Sequence, residues 1–221
     1  MSFGEFSNII EEHLIANVLN NPLNNPKFWK GERAREKWAK LISSDDVLYI
    51  DDYNNKCGNE FKKIANIKLD ISQKRQSTLT VDILDESWND KKEHIYIITR
   101  NDVIMKIGGT RDGMKGRWCS YGCGYYVPER RKKDGTSYPG KMSVTNAYLY
   151  HTIEKDILEK KGRWSFWSWE LPVIKLPVTI LQEQVEVIAQ TFHAYESICI
   201  KKFKEITGSI PQLCDNSDPD Y

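Results

Sequence analysis

The segment that decides the fold is "HIYIITRNDVIMKIGGTRDGMKGRWCSYGCGYY", residues 94–126. Two apolar runs, His94–Ile98 and Val103–Ile107, lie on either side of Asn101 and Asp102. Short apolar runs joined by a tight Asn/Asp turn predict a β-hairpin. The glycines that follow, and then "GMKGRWCSYG", predict a loop leading into a helix or turn.

Downstream of this hairpin, two further elements are expected. The segment "RWSFWSWELPVI" alternates aromatic and polar residues, which predicts a third strand. The segment "TILQEQVEVIAQTFHAYESICIKKFKEITG", residues 179–208, has apolar residues at helical spacing and ends at Gly208, so it predicts one long helix. That helix would carry Glu183, Glu186 and Glu196.

Residues 1–90 form an extension in this interpretation. Two helices are predicted in "SNIIEEHLIANVLNN", with Ser7 as N-cap, and in "GERAREKWAKLIS". Residues 45–92 are predicted to be β, with strands in "DDVLYIDD", "KLDIS" and "STLTVDILDE". The polar connector "DESWNDKKE" sets a boundary near residue 90, which separates domain 1–90 from domain 91–221. Residues 1–90 would contact DNA or form a dimer surface.

Composition bounds the class of protein. The chain has 221 residues, 40% apolar, enough for one core or for one domain with a substantial extension. No segment reaches the roughly 18 apolar residues of a membrane span, and the start does not resemble a signal peptide, so we expect a cytoplasmic protein. Five scattered cysteines indicate reduced thiols rather than a disulfide framework. Cys119 and Cys123 could be two zinc ligands, but no second pair follows at suitable spacing.

The net charge is only +1, but basic residues are concentrated in one part of the chain. Residues 93–208 carry 18 Lys and Arg against 13 Asp and Glu, and the density peaks in "PERRKKDGTSYPGK". Such a patch can attract nucleic acid, and it is equally consistent with a solvated loop.

Four polar side chains around the hairpin suggest chemistry on a phosphate. Tyr96 could orient or deprotonate a water, although an ordinary tyrosine has a pKa near 10, about three units too high for a good base. A cation such as Lys106 on the adjacent strand would lower that pKa. Arg117 offers a planar fork for a phosphate oxygen, and Tyr121 lies four residues later on the same helical face. Each residue alone is also consistent with a purely structural role.

In order and spacing, residues 93–216 resemble the GIY-YIG nuclease superfamily. The matching motifs are "HIY", residues 94–96, and "KIG", residues 106–108, followed by Arg117 and Tyr121. Glu196 in "YESICIKKF" matches the metal-binding Glu of the family, and Asn216 in "IPQLCDN" matches a closing Asn. Two departures are His94 for the first Gly and Lys106 for the second Tyr. The Lys-Ile-Gly variant is similar to the phage-related and restriction-endonuclease branches.

The resemblance implies an α/β (α+β) fold, with a small three-stranded antiparallel sheet flanked by helices. It implies a Mg²⁺- or Mn²⁺-dependent DNA endonuclease, with Glu196 as metal ligand, for which a type II restriction enzyme is the first hypothesis. The alternatives are a phage or mobile-element homing or nicking enzyme, and a DNA-binding protein that does not cleave. Because each chain has one site and duplex DNA has two strands, we expect a homodimer on double-stranded DNA. The basic insertion 127–143 and its neighbours are expected to contact the DNA, through Arg111, Lys115, Arg130, Arg131, Lys132, Lys133 and Lys141.

Overall fold

The computed structural model describes most of the chain from residue 48 onward. The described residues are 48–70, 79–122, 130–131, 137–138, 149–150, 152–154, 156–157 and 162–214. Several sequence predictions therefore lie outside the described residues: the two N-terminal helices, most of the basic insertion with Lys132, Lys133 and Lys141, and Asn216.

The chain divides into two compact units, each built from separate segments. The first consists of Met1–Asp45, Ile67–Asp82 and Trp118–Arg163, and the second of Asp46–Asn66, Ile83–Arg117 and Trp164–Tyr221. The assignment of residues 1–90 to DNA contact or dimerisation stays a prediction.

The helices and strands follow in this order: α1 (Ile50–Lys56), β1 (Lys62–Leu69), β2 (Leu79–Ile83), a 3₁₀ helix (Glu86–Asn89), β3 (His94–Arg100), β4 (Val103–Thr110), α2 (Gly113–Gly122), β5 (Arg130–Arg131), β6 (Ser137–Tyr138), β7 (Trp164–Glu170), β8 (Lys175–Ile180), β9 (Glu183–Ile188) and α3 (Phe192–Thr207). Five strands form one sheet in the order β2-β1-β7-β3-β4. The α+β class is therefore confirmed.

The hairpin prediction is confirmed by β3 and β4, which pair antiparallel with Tyr96 opposite Gly108. Asn101 and Asp102 form the turn with φ of 49° and 66°, a conformation that Asn and Asp tolerate better than most residues. The third predicted strand, β7, pairs antiparallel with the other side of β3 and places Ser168 opposite Tyr96. The structure adds β1 and β2 to these three strands.

The segment "DDVLYIDD" was expected to be a strand, and this prediction is wrong. Tyr49 forms only an isolated bridge to Val103, and α1 begins at Ile50. Asp51 and Asp52 lie in the first turn, where carboxylates favour a helix, and Ile50 and Tyr53 supply its buried face.

The prediction of a single long helix over residues 179–208 is also wrong. Its first half is a separate hairpin, β8 and β9, in which Val178 lies opposite Val185. Leu181 and Gln182 form its turn with positive φ, and α3 begins only at Phe192. Glu183 and Glu186 therefore lie on β9 and not on the helix of Glu196. The predicted end at Gly208 is confirmed, where the residue has φ of 78°.

The core of the second unit lies between the hairpin and α3. Ile95, Ile97 and Ile107 pack with residues of α3 and α1 in one apolar cluster, which includes Cys199, Ile200, Phe203, Ile50 and Tyr53. Burial of this apolar surface fixes α3 against β4. None of the described helices is long and apolar enough to cross a membrane.

Candidate active site

The site begins at Tyr96, whose ring lies over a glycine. Tyr96 is fully buried, and a Cβ atom built on Gly108 would overlap its hydroxyl group. Phe166 packs edge-on against the ring with centroids 6.2 Å apart. The first glycine of "KIGG", Gly108, and the strand register thus fix the position of the phenol oxygen.

Arg117 contacts that oxygen. Its Nε donates a hydrogen bond to the Tyr96 hydroxyl at 2.9 Å, and its guanidinium carbon lies 5.8 Å from the ring centroid. Helix α2 can place Arg117 here because it begins at Gly113, which has φ of +82°. A Cβ at Gly113 would overlap the carbonyl oxygen of Asp90, so glycine lets the helix start directly against that loop.

Glu196 reaches the site from α3. A Cβ at Gly109 would lie 3.0 Å from Glu196 Oε2 and 2.6 Å from Phe192 Cδ2, so the second glycine of the pair admits the helix. Burial raises the pKa of the Glu196 carboxyl above its ordinary value. Lys106, Arg117, His193 and a hydrogen bond from the Gly109 amide oppose that increase.

One cavity of about 510 Å³ joins these groups. Its lining includes Arg117, Glu196, His193, Arg111 and Asp112, all from the second unit. It thus presents a guanidinium and a carboxylate to the same volume, a combination suited to binding an anionic group together with a cation.

His193 was not among the residues singled out from the sequence. It lines the cavity one helical turn before Glu196, and its ring stacks on Phe192 with centroids 3.9 Å apart. The spacing His-x-x-Glu was the available signal, but it is informative only once both residues are known to lie on one helix.

Lys106 lies on β4 directly opposite Ile98 of β3. It is therefore a diagonal neighbour of Tyr96, which lies opposite Gly108. It is 7% exposed, and its amino group donates to the Leu213 carbonyl at 3.2 Å. Its charge acts on the carboxyl of Glu196. The effect of Lys106 on Tyr96 stays a prediction, and the cation in contact with the tyrosine oxygen is Arg117.

The remaining sequence candidates have different surroundings. Tyr121 lies four residues after Arg117 on α2, as expected, and is buried. Arg111, an expected DNA contact, lines the cavity and forms an exposed ion pair with Asp112 at 2.9 Å. Lys115 is exposed on α2, and Arg130 and Arg131 form β5, which pairs with β6. The roles of these residues in DNA binding stay predictions.

Two carboxylates that line this cavity could hold a divalent cation, Glu196 and Asp112, and Asp112 is paired with Arg111. The described residues contain no cluster of three or more His, Cys, Asp or Glu side chains. Mg²⁺ is commonly held by one or two carboxylates, with water and phosphate oxygens completing its shell. The Glu196 carboxylate, on the wall of a cavity that also holds Arg117, fits that mode of binding.

Among solved structures, the chain is similar to endonucleases. One is restriction endonuclease HPY188I in complex with product DNA, at 19% identity over 78% of this chain and 88% of that chain with a TM-score of 0.45. Another is a mutant of bacteriophage T4 EndoII, at 15% identity over 71% of this chain and 95% of that chain with a TM-score of 0.43. No protein-family model and no curated protein matches the chain. At these levels of similarity, function has to be inferred from the site's own residues.

Proposed function

We propose that this protein is a metal-dependent DNA endonuclease that hydrolyses phosphodiester bonds in the cavity lined by Arg117 and Glu196. One observation carries the proposal: a single cavity holds the half-buried carboxylate of Glu196 and a guanidinium that is fixed by a tyrosine hydroxyl. This pairing, in the order expected for a GIY-YIG nuclease, provides an anion-binding group beside a cation-binding group.

Arg117 is proposed to bind the scissile phosphate. A guanidinium carries five N–H donors in a rigid plane and pairs well with two phosphate oxygens. The bond from Nε to Tyr96 fixes the orientation of that plane. A donor oriented before the reaction stabilises the charge that develops on phosphate without further rearrangement.

Tyr96 is proposed chiefly to hold Arg117. Its hydroxyl accepts the Arg117 Nε–H, is enclosed by the Gly108 backbone, and belongs to a fully buried residue. This geometry supports a role in orienting Arg117 better than either role suggested by the sequence, which were to orient a water or to deprotonate it. Each of these roles requires the phenol oxygen, so Tyr96→Phe should impair cleavage.

Glu196 is proposed to hold Mg²⁺ or Mn²⁺. When bound, such an ion polarises phosphate oxygens and lowers the pKa of a coordinated water. Lys106 contributes by favouring the ionised form of Glu196, the form that binds a cation.

Within this class, we propose a type II restriction enzyme acting as a homodimer. With one site per chain, a two-fold dimer would present two sites to the two strands of a palindromic target. Residues 1–90 and the basic insertion 127–143, with Arg111 and Lys115, would supply DNA contacts. A phage or mobile-element homing or nicking enzyme and a non-cleaving DNA-binding protein are the alternatives.

Digestion of supercoiled plasmid with Mg²⁺, and in parallel with EDTA, tests the proposal. We expect cleavage with Mg²⁺ and none with EDTA, whereas equal absence of cleavage alongside DNA binding would favour the non-cleaving protein. Sequencing of the cut ends then separates the enzyme classes, because a restriction enzyme cuts at a short fixed site.

A further inference from the structure

His94, which replaces the first glycine of the family motif, is buried between two polar residues. It is 1% exposed, as is Ser168. Its Nδ1 lies 2.8 Å from Ser168 Oγ, and its Nε2 lies 2.8 Å from Asp90 Oδ1. An imidazole with its proton on Nε2 satisfies both contacts, since it donates to Asp90 and accepts from the Ser168 hydroxyl.

One end of this network lies beside Tyr96. His94 precedes Tyr96 by two residues on β3, so both side chains project from the same face of the strand. Ser168 lies directly opposite Tyr96 on β7. The hydrogen bond from Ser168 to His94 therefore runs diagonally next to the base of the tyrosine.

The other end reaches the start of α2. Asp90 Oδ1 also accepts from the Lys92 amide at 3.1 Å, which fixes the carboxylate within its own loop. The carbonyl oxygen of Asp90 packs against Gly113 so closely that no Cβ would fit there. Arg117 lies four residues after Gly113 on α2, and its Nε returns to the Tyr96 hydroxyl.

We propose that His94, bound to Asp90 and Ser168, is a positioning residue that sets Arg117 against Tyr96. The network connects β3, which carries Tyr96, with the loop at Asp90, against which α2 and therefore Arg117 are packed. The expected effect on cleavage rests on the proposed function, whereas the effect on the Arg117–Tyr96 bond does not. The proposal gives His94 a structural role at a position where the GIY-YIG motif has glycine.

The test uses the full-length protein with ¹⁵N-labelled arginine and four variants. The Arg117 Nε–H resonance is identified as the signal that Arg117→Lys removes. We expect Asp90→Ala to shift this resonance and speed its exchange with solvent. Asp90→Asn keeps an acceptor oxygen for His94 and should retain the wild-type signal. Asp85→Ala is the matched control, because Asp85 lies in the same connector and bonds to Ser87 and Lys62 instead of His94.

Single-turnover cleavage is measured on the same samples. A misplaced Arg117 should lower the rate roughly 10- to 100-fold in Asp90→Ala, with DNA affinity unchanged, and Asp90→Asn should restore it. An unchanged Arg117 signal in Asp90→Ala would overturn the proposal, as would an equal change in Asp85→Ala. If wild-type protein does not cleave but the Arg117 signal responds as expected, the proposed function fails and the positioning role stands.

Discussion

At the scale of single residues, the site depends on two glycines as much as on its polar side chains. Gly108 leaves room for the Tyr96 hydroxyl, and Gly109 leaves room for Phe192 and Glu196. The two adjacent glycines face opposite sides of β4, because successive residues of a strand alternate. A single glycine pair thus admits the tyrosine on one side and the helix of the carboxylate on the other.

The first prediction concerns Gly108→Ala. The added methyl group would overlap the Tyr96 hydroxyl, so the ring would move and the bond to Arg117 would be lost. We expect a loss of stability of about 1–3 kcal/mol, typical of overpacking, and a large loss of cleavage. Denaturant unfolding and single-turnover cleavage measure the two effects.

Gly116→Ala is the control for Gly108→Ala. Gly116 lies on α2 beside Arg117, and a Cβ built there has no neighbour within 4 Å. Alanine should stabilise the helix by about 0.5–1 kcal/mol and leave cleavage intact. Full activity in Gly108→Ala would contradict the close packing described for Tyr96.

The second prediction concerns pH and Glu196. Burial raises the pKa of its carboxyl, so the folded protein retains a proton that the unfolded chain releases as pH rises past the ordinary value. Stability contributed by this group is therefore present at low pH and is lost as pH rises through the raised pKa. Glu196→Gln removes that loss.

Thermal unfolding in EDTA should show Glu196→Gln at least as stable as the wild type. The difference in Tm should grow as pH rises from acid towards neutral. If the Tm of Glu196→Gln instead falls relative to the wild-type Tm as pH rises from acid to neutral, the raised pKa of Glu196 is contradicted.

The candidate site was predictable from the sequence only in part. The order of Tyr96, Arg117 and Glu196 along the chain resembles the GIY-YIG pattern, and this resemblance can be seen without a structure. His193 and the network of Asp90, His94 and Ser168 could not be found in this way, because their partners are set by strand register and by the starting points of helices. The pairing of Ser168 with His94 joins residues 74 positions apart.

At the scale of elements, β8 and β9 show where periodicity fails. Leu181, Val185 and Ile188 are spaced as on a helix, but Val185 and Val187 also alternate as on a strand. The sequence gives no glycine or Asn-Gly turn between the strands, although Leu181 and Gln182 adopt φ of 52° and 71°. Because the turn lacks the Gly or Asn-Gly that usually marks a hairpin, the spacing of the apolar residues was equally consistent with a helix and with a hairpin.

That turn supports a third prediction. L-residues in the left-handed region cost roughly 1–2 kcal/mol each, and Asn-Gly is the preferred pair for such hairpins. We expect Leu181→Asn with Gln182→Gly to slow amide exchange across β8 and β9, corresponding to an increase of about 1–2 kcal/mol in the free energy of opening. Leu181→Ala removes the same exposed side chain without relieving the backbone and should give no such gain. Unchanged protection in the double variant would contradict the turn.

At the scale of the whole molecule, the fold class followed from the hairpin, the third strand and a final helix. The sequence did not indicate that β1 and β2 extend the same sheet, or that the compact units interleave along the chain. Both depend on contacts between distant segments, which local patterns do not encode. Charge, by contrast, is read directly from the sequence.

The fourth prediction concerns the basic segment. If Arg130, Arg131, Lys132 and Lys133 contact DNA phosphates, replacing all four with Ala should weaken binding on every sequence. Each lost phosphate contact should reduce the salt dependence of log K by about one unit. The matched control replaces Lys175, Lys201, Lys202 and Lys204, which are exposed on β8 and α3. Equal slopes for wild type and the first variant would leave the segment as a solvated loop.

Under the proposed function, Glu196, and not another acid of its segment, acts with Arg117 in one phosphodiesterase site. Mg²⁺-dependent nicking of supercoiled plasmid by Glu196→Gln, beside Glu186→Gln, tests it most directly. Glu186 lies on β9 in an exposed ion pair with Lys175 at 3.4 Å, so its replacement should leave cleavage at the wild-type rate. Glu196→Gln should bind DNA with nearly unchanged affinity and should not cut it. Wild-type nicking by Glu196→Gln would contradict the account.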